Sequence, residues 1–294
     1  FIISGLRQYY NEIYQNSNNY ITAYYDVLPE MKYNDEASLT GRLKIFQKNS
    51  SINENNCLVF INKELAQFEN HFESEKPKKY IIKFILKENA SSIDNLNNLF
   101  NNCSSLKAVD FSKFDISKIK EMANIINDCT NFDEVIFTQL WNKIQSKDNL
   151  KKMLSTEFKT SKILNISDLK NLEELNYFKD WNLEQLKLSD IKSKEDVDNI
   201  SIIFPNLNTL QILGNFKSIE HFKNIDENCP FLLDINLFNL DEYNHENISY
   251  MFKYCHKLMR IKFSENFNTK MAKNMNNMFK NCNKLESLDL SSFI

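Results

Sequence analysis

The sequence predicts an α/β fold, a right-handed solenoid in which each repeat supplies a short parallel strand and a short helix, preceded by a small β-rich module. Three observations predict it. The phrases "NLFNNCSSLKAVDFSKFD" (98–115), "YMFKYCHKLMRIKFSENF" (250–267) and "NMFKNCNKLESLDLSSFI" (277–294) match position for position. Cysteines at 103, 129, 229, 255 and 282 are separated by 26, 100, 26 and 27 residues, and the gap of 100 holds about four further steps of 25. Apolar residues recur at +3, +6, +8 and about +11 from each cysteine, as in Leu106, Val109, Phe111 and Phe114 after Cys103. A unit this short cannot bury an apolar face alone, so neighbours must stack into one continuous core.

Residues 1–79 do not follow the repeat. "LRQYYNEIYQNSNNY" begins as a helix, while "YITAYYDVL" (20–28), "GRLKIFQKN" (41–49) and "CLVFINKEL" (57–65) have the length and the β-branched or aromatic content of strands. "SSINENN" and "ESEKPKK" read as loops between them. This module is expected to cover the first edge of the array, which would otherwise expose core residues.

Residues 80–294 hold about eight repeats. "IIKFIL" (81–86) keeps the LxxLxL spacing and is expected to be the first strand of the array. In each repeat the LxxLxL half ends with period 2, as a half-buried strand does. The half before the cysteine has helical spacing: Ile93, Leu96, Leu99 and Phe100 in one copy, Met271, Met275, Met278 and Phe279 in another. Inside the gap, Asp180 and Phe204 stand where a cysteine would. The weakest copy starts at Ser155, with Phe158, Ser161, Ile163 and Ile166 in the apolar positions and Ser161 as the exception. The last copy breaks off after "LDLSSFI", where the others run on into a linker, so the array is expected to be truncated at its C-terminus.

The MFxxCxxLxxLxL phrase, recurring at the step between cysteines, resembles the BspA-like leucine-rich-repeat surface proteins, over about three quarters of the chain. The likeness is strong at 93–140 and 248–294 and degenerate at 141–228. The linkers "FDISKIKEM" (114–122) and "FNTKMAKNM" (267–275) are a loose match to that family's pattern. The resemblance implies a leucine-rich-repeat-like solenoid and a role in adhesion or protein binding without catalysis.

Composition narrows the function classes. Three glycines in 294 residues leave no Gly-rich phosphate loop and no dinucleotide fingerprint. A net charge of −3 lacks the basic excess of a nucleic-acid binder, and no local Lys/Arg cluster of a polybasic membrane binder is visible along the chain. No apolar run approaches the length of a membrane helix. The five repeat cysteines stand a full repeat or more apart, which argues against a CxxC-type metal site; Asp, Ser and Phe replace them in the middle copies, as befits small buried side chains. Cys255 and His256 are adjacent, but neighbours in a turn point apart and other copies put Ser104, Thr130, Pro230 and Asn283 in the second position. No catalytic residue, metal ligand or cofactor is therefore expected.

A binding surface is expected on the concave sheet face. Residues at +5, +7 and +9 from the cysteine should point away from the core. The +7 column contains Lys162, Lys187, Gln211 and Asn236, and the +9 column adds Leu164, Leu213 and Phe238. Lys162, Lys187, Gln211, Leu213, Asn236 and Phe238 are the candidate contacts, a mixed polar and apolar patch with an aromatic anchor. The expected partner is another protein or a cell-surface macromolecule, not a nucleic acid. By resemblance the setting is the cell surface or outside the cell. An intracellular scaffold or substrate receptor is the rival, favoured by cysteines with no evident pairing partners.

Overall fold

Alternation of burial makes the LxxLxL half of each repeat a strand. In a computed structural model of the protein, buried side chains alternate with more exposed ones along Gln185–Leu188, Asp234–Leu237 and Arg260–Phe263. The structure describes residues 2–27, 42–47, 52–73, 79–87, 93–138, 140–143, 148–167, 169, 171–188, 194–212, 232–237, 247–263, 269–270, 272–291 and 293. The chain divides into two compact units, Phe1–Thr160 and Ser161–Ile294.

The first unit opens with helix α1 (Ile2–Asn16), followed by strands β1 (Tyr20–Asp26), β2 (Arg42–Lys44), β3 (Cys57–Ile61), β4 (Glu64–Ala66), β5 (His71–Glu73) and β6 (Lys79–Leu86). Two repeat strands follow, β7 (Leu106–Asp110) and β8 (Glu134–Ile136), and then helices α2 (Leu140–Lys143) and α3 (Asp148–Glu157). β7 and β8 pair in parallel, whereas β1 pairs antiparallel with β7 on one side and with β6 on the other. β1 thus covers the first edge of the repeat strands. The 81–86 segment is a strand, as its spacing predicts, but it pairs antiparallel with β1 and β3 and lies outside the parallel ladder. The β3–β4 hairpin turns on Asn62 and Lys63 at φ 48° and 75°, the two positive-φ residues that a tight hairpin with the sheet's own twist requires.

One lysine docks α1 on this sheet. Lys83 of β6 is 7% exposed, and its ammonium donates to the Tyr14 carbonyl at 2.6 Å in the last turn of the helix. It also lies 4.4 Å and 3.7 Å from the centres of the Tyr14 and Tyr20 rings. Desolvation lowers its pKa. The partial negative charge at the helix C-terminus and the two ring faces offset the loss of hydration.

The second unit carries six parallel strands in sequence order: β9 (Ile163–Asn165), β10 (Gln185–Leu188), β11 (Thr209–Ile212), β12 (Asp234–Leu237), β13 (Arg260–Phe263) and β14 (Ser287–Leu288). Leu164, Leu186, Leu210, Ile235 and Ile261 form one buried column, with exposures of 0 to 3%. Parallel stacking of strands is what the repeat step requires.

The half before the cysteine departs from expectation. In the four repeats with an intact phrase, those of Cys103, Cys129, Cys255 and Cys282, it is a stack of overlapping turns and not a short helix. The residues five and one before each cysteine have left-handed backbone: Asn98, Asn102, Asn124, Asp128, Tyr250, Tyr254, Asn277 and Asn281, with φ from 55° to 68°. Every second amide closes a turn on the carbonyl three residues back, as Leu99, Asn101 and Cys103 do on Leu96, Asn98 and Phe100. The intervening amides leave the repeat altogether. Leu96, Asn98, Phe100 and Asn102 donate to Glu121, Ala123, Ile125 and Asn127 of the next repeat at 2.8 to 2.9 Å. Ile248, Tyr250, Phe252 and Tyr254 do the same to Asn274, Asn276, Met278 and Lys280 at 2.8 to 3.1 Å. These repeats are therefore joined twice, by their strands and by a turn ladder.

Asparagine accounts for the difference. A left-handed residue every fourth position breaks a helix, and Asn and Asp tolerate that conformation better than other residues with a Cβ. The apolar spacing survives because three-residue turns also return side chains to one side: Leu96, Leu99, Phe100 and Cys103 are all fully buried. Helices replace the turns where the phrase is degenerate, in α3, in the 3-10 segment Leu172–Phe178 and in α4 (Lys194–Ile203). In the first unit the carbonyl side of the turn ladder is capped: Leu99 O accepts from the Gln47 amide at 2.7 Å, and Asn101 O from the Lys44 ammonium at 2.8 Å. The Tyr25 hydroxyl, buried beneath, donates to the Ile45 carbonyl and holds that capping segment in place.

Candidate functional site

The exposed sheet face of the second unit is set by strand register. One row runs Asn165, Lys187, Gln211, Asn236 and Lys262, each paired with the next across adjacent strands. The other runs Ile163, Gln185, Thr209, Asp234, Arg260 and Ser287. Of the six candidates, Lys187, Gln211 and Asn236 share the first row. Leu213 and Phe238 lie outside the described residues.

Lys162 is not in that row. Asn165 takes the place, because the weakest copy is phased from Phe158 and not from Ser155. Phe158 is fully buried, and Phe204, the other phenylalanine in a cysteine position, is equally hidden. Leu164, Ile166 and Leu169, which follow Phe158 at the apolar spacing of the repeat, are all buried. Leu164 is therefore a core residue and does not join the exposed column. Ser161 falls where neighbouring copies have their first leucine, and it is 1% exposed with a hydroxyl that has no hydrogen-bond partner among the described residues. Lys162 stands just before β9, exposed, with its ammonium 3.1 Å from the Glu184 carboxylate.

The polar rows are cross-linked between repeats. Arg260 grips Asp234 with two hydrogen bonds, Nε to Oδ1 at 2.6 Å and a second guanidinium nitrogen to Oδ2 at 2.7 Å. The carboxylate raises the Arg260 pKa further. Ser291 holds the Asp289 carboxyl below the usual carboxylate range through side-chain and backbone hydrogen bonds. The fork of Arg260 is thus spent within the sheet, on the carboxylate one strand away. The row of Gln185, Thr209, Asp234 and Arg260 is the +5 column, which the repeat arithmetic points outward although no candidate contact is drawn from it. Its signal is the charge reversal from Asp234 to Arg260 at one repeat spacing.

The cysteines do structural work. All five described are thiols. Cys129 donates its S–H to the Phe100 carbonyl at 2.9 Å and Cys282 to the Phe252 carbonyl at 3.0 Å, so each bonds the preceding repeat. Burial pushes Cys129 up to about 11, and Cys57 up to about 12. Cys255 is fully buried while His256 is exposed, and the imidazole lies 3.4 Å from the Asn283 amide of the next repeat. Among the described residues no group of three His, Cys, Asp or Glu could hold a metal ion. Among them, too, no helix is long and apolar enough to cross a membrane.

One family model, described as "Mycoplasma protein of unknown function, DUF285", matches the chain three times, at residues 40–168, 66–204 and 216–293. The first two matches are offset by one repeat step at their starts. No curated protein and no solved structure matches. With most of its length matched, at repeat spacing, the chain belongs to the DUF285 family.

Proposed function

We infer that this is a non-catalytic recognition protein whose exposed sheet face binds another protein. The observation that carries the reading is the in-register polar surface of β10 to β13, with Lys187, Gln211, Asn236 and Lys262 in one row and Gln185, Thr209, Asp234 and Arg260 in the other. Parallel strands hold these groups at fixed spacing, so a partner meets a preorganised surface and little ordering opposes association. The likeness to BspA-like surface proteins supports adhesion as the setting. The buried thiols support the second reading, a scaffold or substrate receptor in a reducing compartment.

The test is affinity capture on the immobilised chain, followed by titration of the purified partner against variants. Lys187→Glu with Lys262→Glu should weaken affinity at least tenfold and leave the melting temperature within about 2 °C, as surface substitutions do. Unchanged affinity would remove the sheet face as the binding surface. Where the captured partner resides separates the two settings.

A further inference from the structure

The turn ladder carries an anomaly. Of its eight left-handed positions, six hold Asn or Asp and two hold tyrosine, Tyr250 and Tyr254, both in one repeat. A bulky residue is an outlier in this conformation, and the strain costs on the order of 1 kcal/mol or more at each site. Core packing does not compensate at Tyr250, which is 41% exposed. The Lys253 ammonium lies between the two rings, 4.8 Å from the centre of Tyr250 and 4.6 Å from that of Tyr254.

This pair sits in a region of unusual charge. Between Glu246 and Glu286 lie eight Lys and Arg and one acid, Glu265, in a chain whose net charge is −3; two of the eight, Arg260 and Lys262, belong to the sheet rows. Along the sequence the cations are spread out and form no cluster. Stacking assembles them: Lys253 and Lys280 are each two before a cysteine, Lys257 and Lys284 each two after, and the Tyr254 amide bonds the Lys280 carbonyl directly. Equivalent backbone positions in adjacent strands lie roughly 4.8 Å apart, so Lys253 and Lys280 form one pair in the stack of turns and Lys257 and Lys284 a second just beyond the cysteines. Met275, 45% exposed, belongs to the same stack of turns.

We propose that the turn side of these two repeats docks on an anionic lipid bilayer. Lysine side chains reach headgroup phosphates on long apolar stems, while Tyr250, Tyr254 and Met275 occupy the interfacial depth that amphipathic rings and thioethers favour. The chemistry selects a bilayer over a polynucleotide or a sulfated polysaccharide. Lys253 already lies over the two rings on which a base or sugar would stack.

The experiment is co-sedimentation of the full chain with vesicles of neutral phosphatidylcholine, alone or mixed two to one with anionic phosphatidylserine. Binding to the anionic vesicles is expected, with release as salt rises from about 0.1 to 0.5 M. Replacing Lys253, Lys280 and Lys284 by Gln should lower partition about a hundredfold, at roughly fivefold per lysine. Tyr250→Asn with Tyr254→Asn should also lower partition while raising the melting temperature, because asparagine relieves the strain. Absence of vesicle binding, or equal binding to neutral vesicles, overturns the proposal. So does capture of single-stranded DNA or heparin without vesicle binding, or a tyrosine variant that melts lower and partitions normally.

Discussion

Replacing Asn98 separates a turn from a helix by rank order alone. Asn98 has φ 60°, and its amide donates to Ala123 of the next repeat at 2.9 Å. A Cβ in the left-handed region costs roughly 1–2 kcal/mol, less for asparagine because its short polar side chain can bond locally. Asn98→Ala should therefore destabilise by about 1 kcal/mol, and the double variant with Asn102→Ala by about 2 kcal/mol. Asn98→Gly should be nearly neutral, since relief of the Cβ contact offsets the greater entropy of the unfolded chain. Asn98→Val should be the worst of the three, because a branched Cβ is least tolerated at positive φ. Urea denaturation at constant temperature measures all of these. Glycine and asparagine together at the top, then alanine, then valine, supports the turn ladder. If alanine is the most stable and glycine the least, the segment is a helix and not a turn ladder.

Three further outcomes follow from the core. Ser161→Ala should stabilise by about 1–2 kcal/mol in the same assay, because it removes a buried hydroxyl with no hydrogen-bond partner among the described residues; a loss of stability would mean that the repeat is phased otherwise. Phe158→Ala should cost about 3–5 kcal/mol, since its ring meets Phe111, Phe132 and Phe137 with centres 5.6 to 6.0 Å apart; a cost below about 1 kcal/mol would place it outside the core. Cys129, raised to about 11, should react with a thiol reagent at pH 8 about a hundredfold more slowly in the folded chain than in urea. The sign for stability follows from the same shift. The unfolded thiol ionises near pH 9 and the folded one near 11, so stability falls as pH rises above about 9, and Cys129→Ser should flatten that fall.

The strands are legible in the sequence because two signals coincide there, alternation of burial and an apolar column that recurs at the step between cysteines. Leu186, Leu210, Ile235 and Ile261 can be aligned by counting, and the structure pairs them in that register. The turns imitate helices because both return Leu96, Leu99 and Phe100 to one side. The discriminating signal is polar, the asparagines at 98, 102, 277 and 281, which a helix has no reason to space by four. Lys162 falls out of its expected row because Ser161 interrupts the apolar column and Phe158 does not look like a cysteine, although Phe204 plays the same part. The antiparallel pairing of 81–86 is beyond local reading, since its partner β1 is some sixty residues earlier and only the assembled sheet decides direction. The cationic turn face is hidden for a similar reason: its lysines become neighbours only when repeats stack.

The turn ladders also have an electrical direction. In each unit the inter-repeat amides donate toward the C-terminal neighbour, so their dipoles add as those of a helix do. Partial negative charge collects at the carbonyl end of the ladder in the first unit, and there the Lys44 ammonium meets Asn101 O. In the second unit the amides of Met275, Asn277, Phe279 and Asn281 stand one repeat on from the donors Ile248, Tyr250, Phe252 and Tyr254. Any element that stacks on that repeat must bring acceptors, carbonyls or carboxylates, at alternate positions. A repeat inserted with its chain reversed would set donor against donor, so ladders of this kind accept additions in one polarity only.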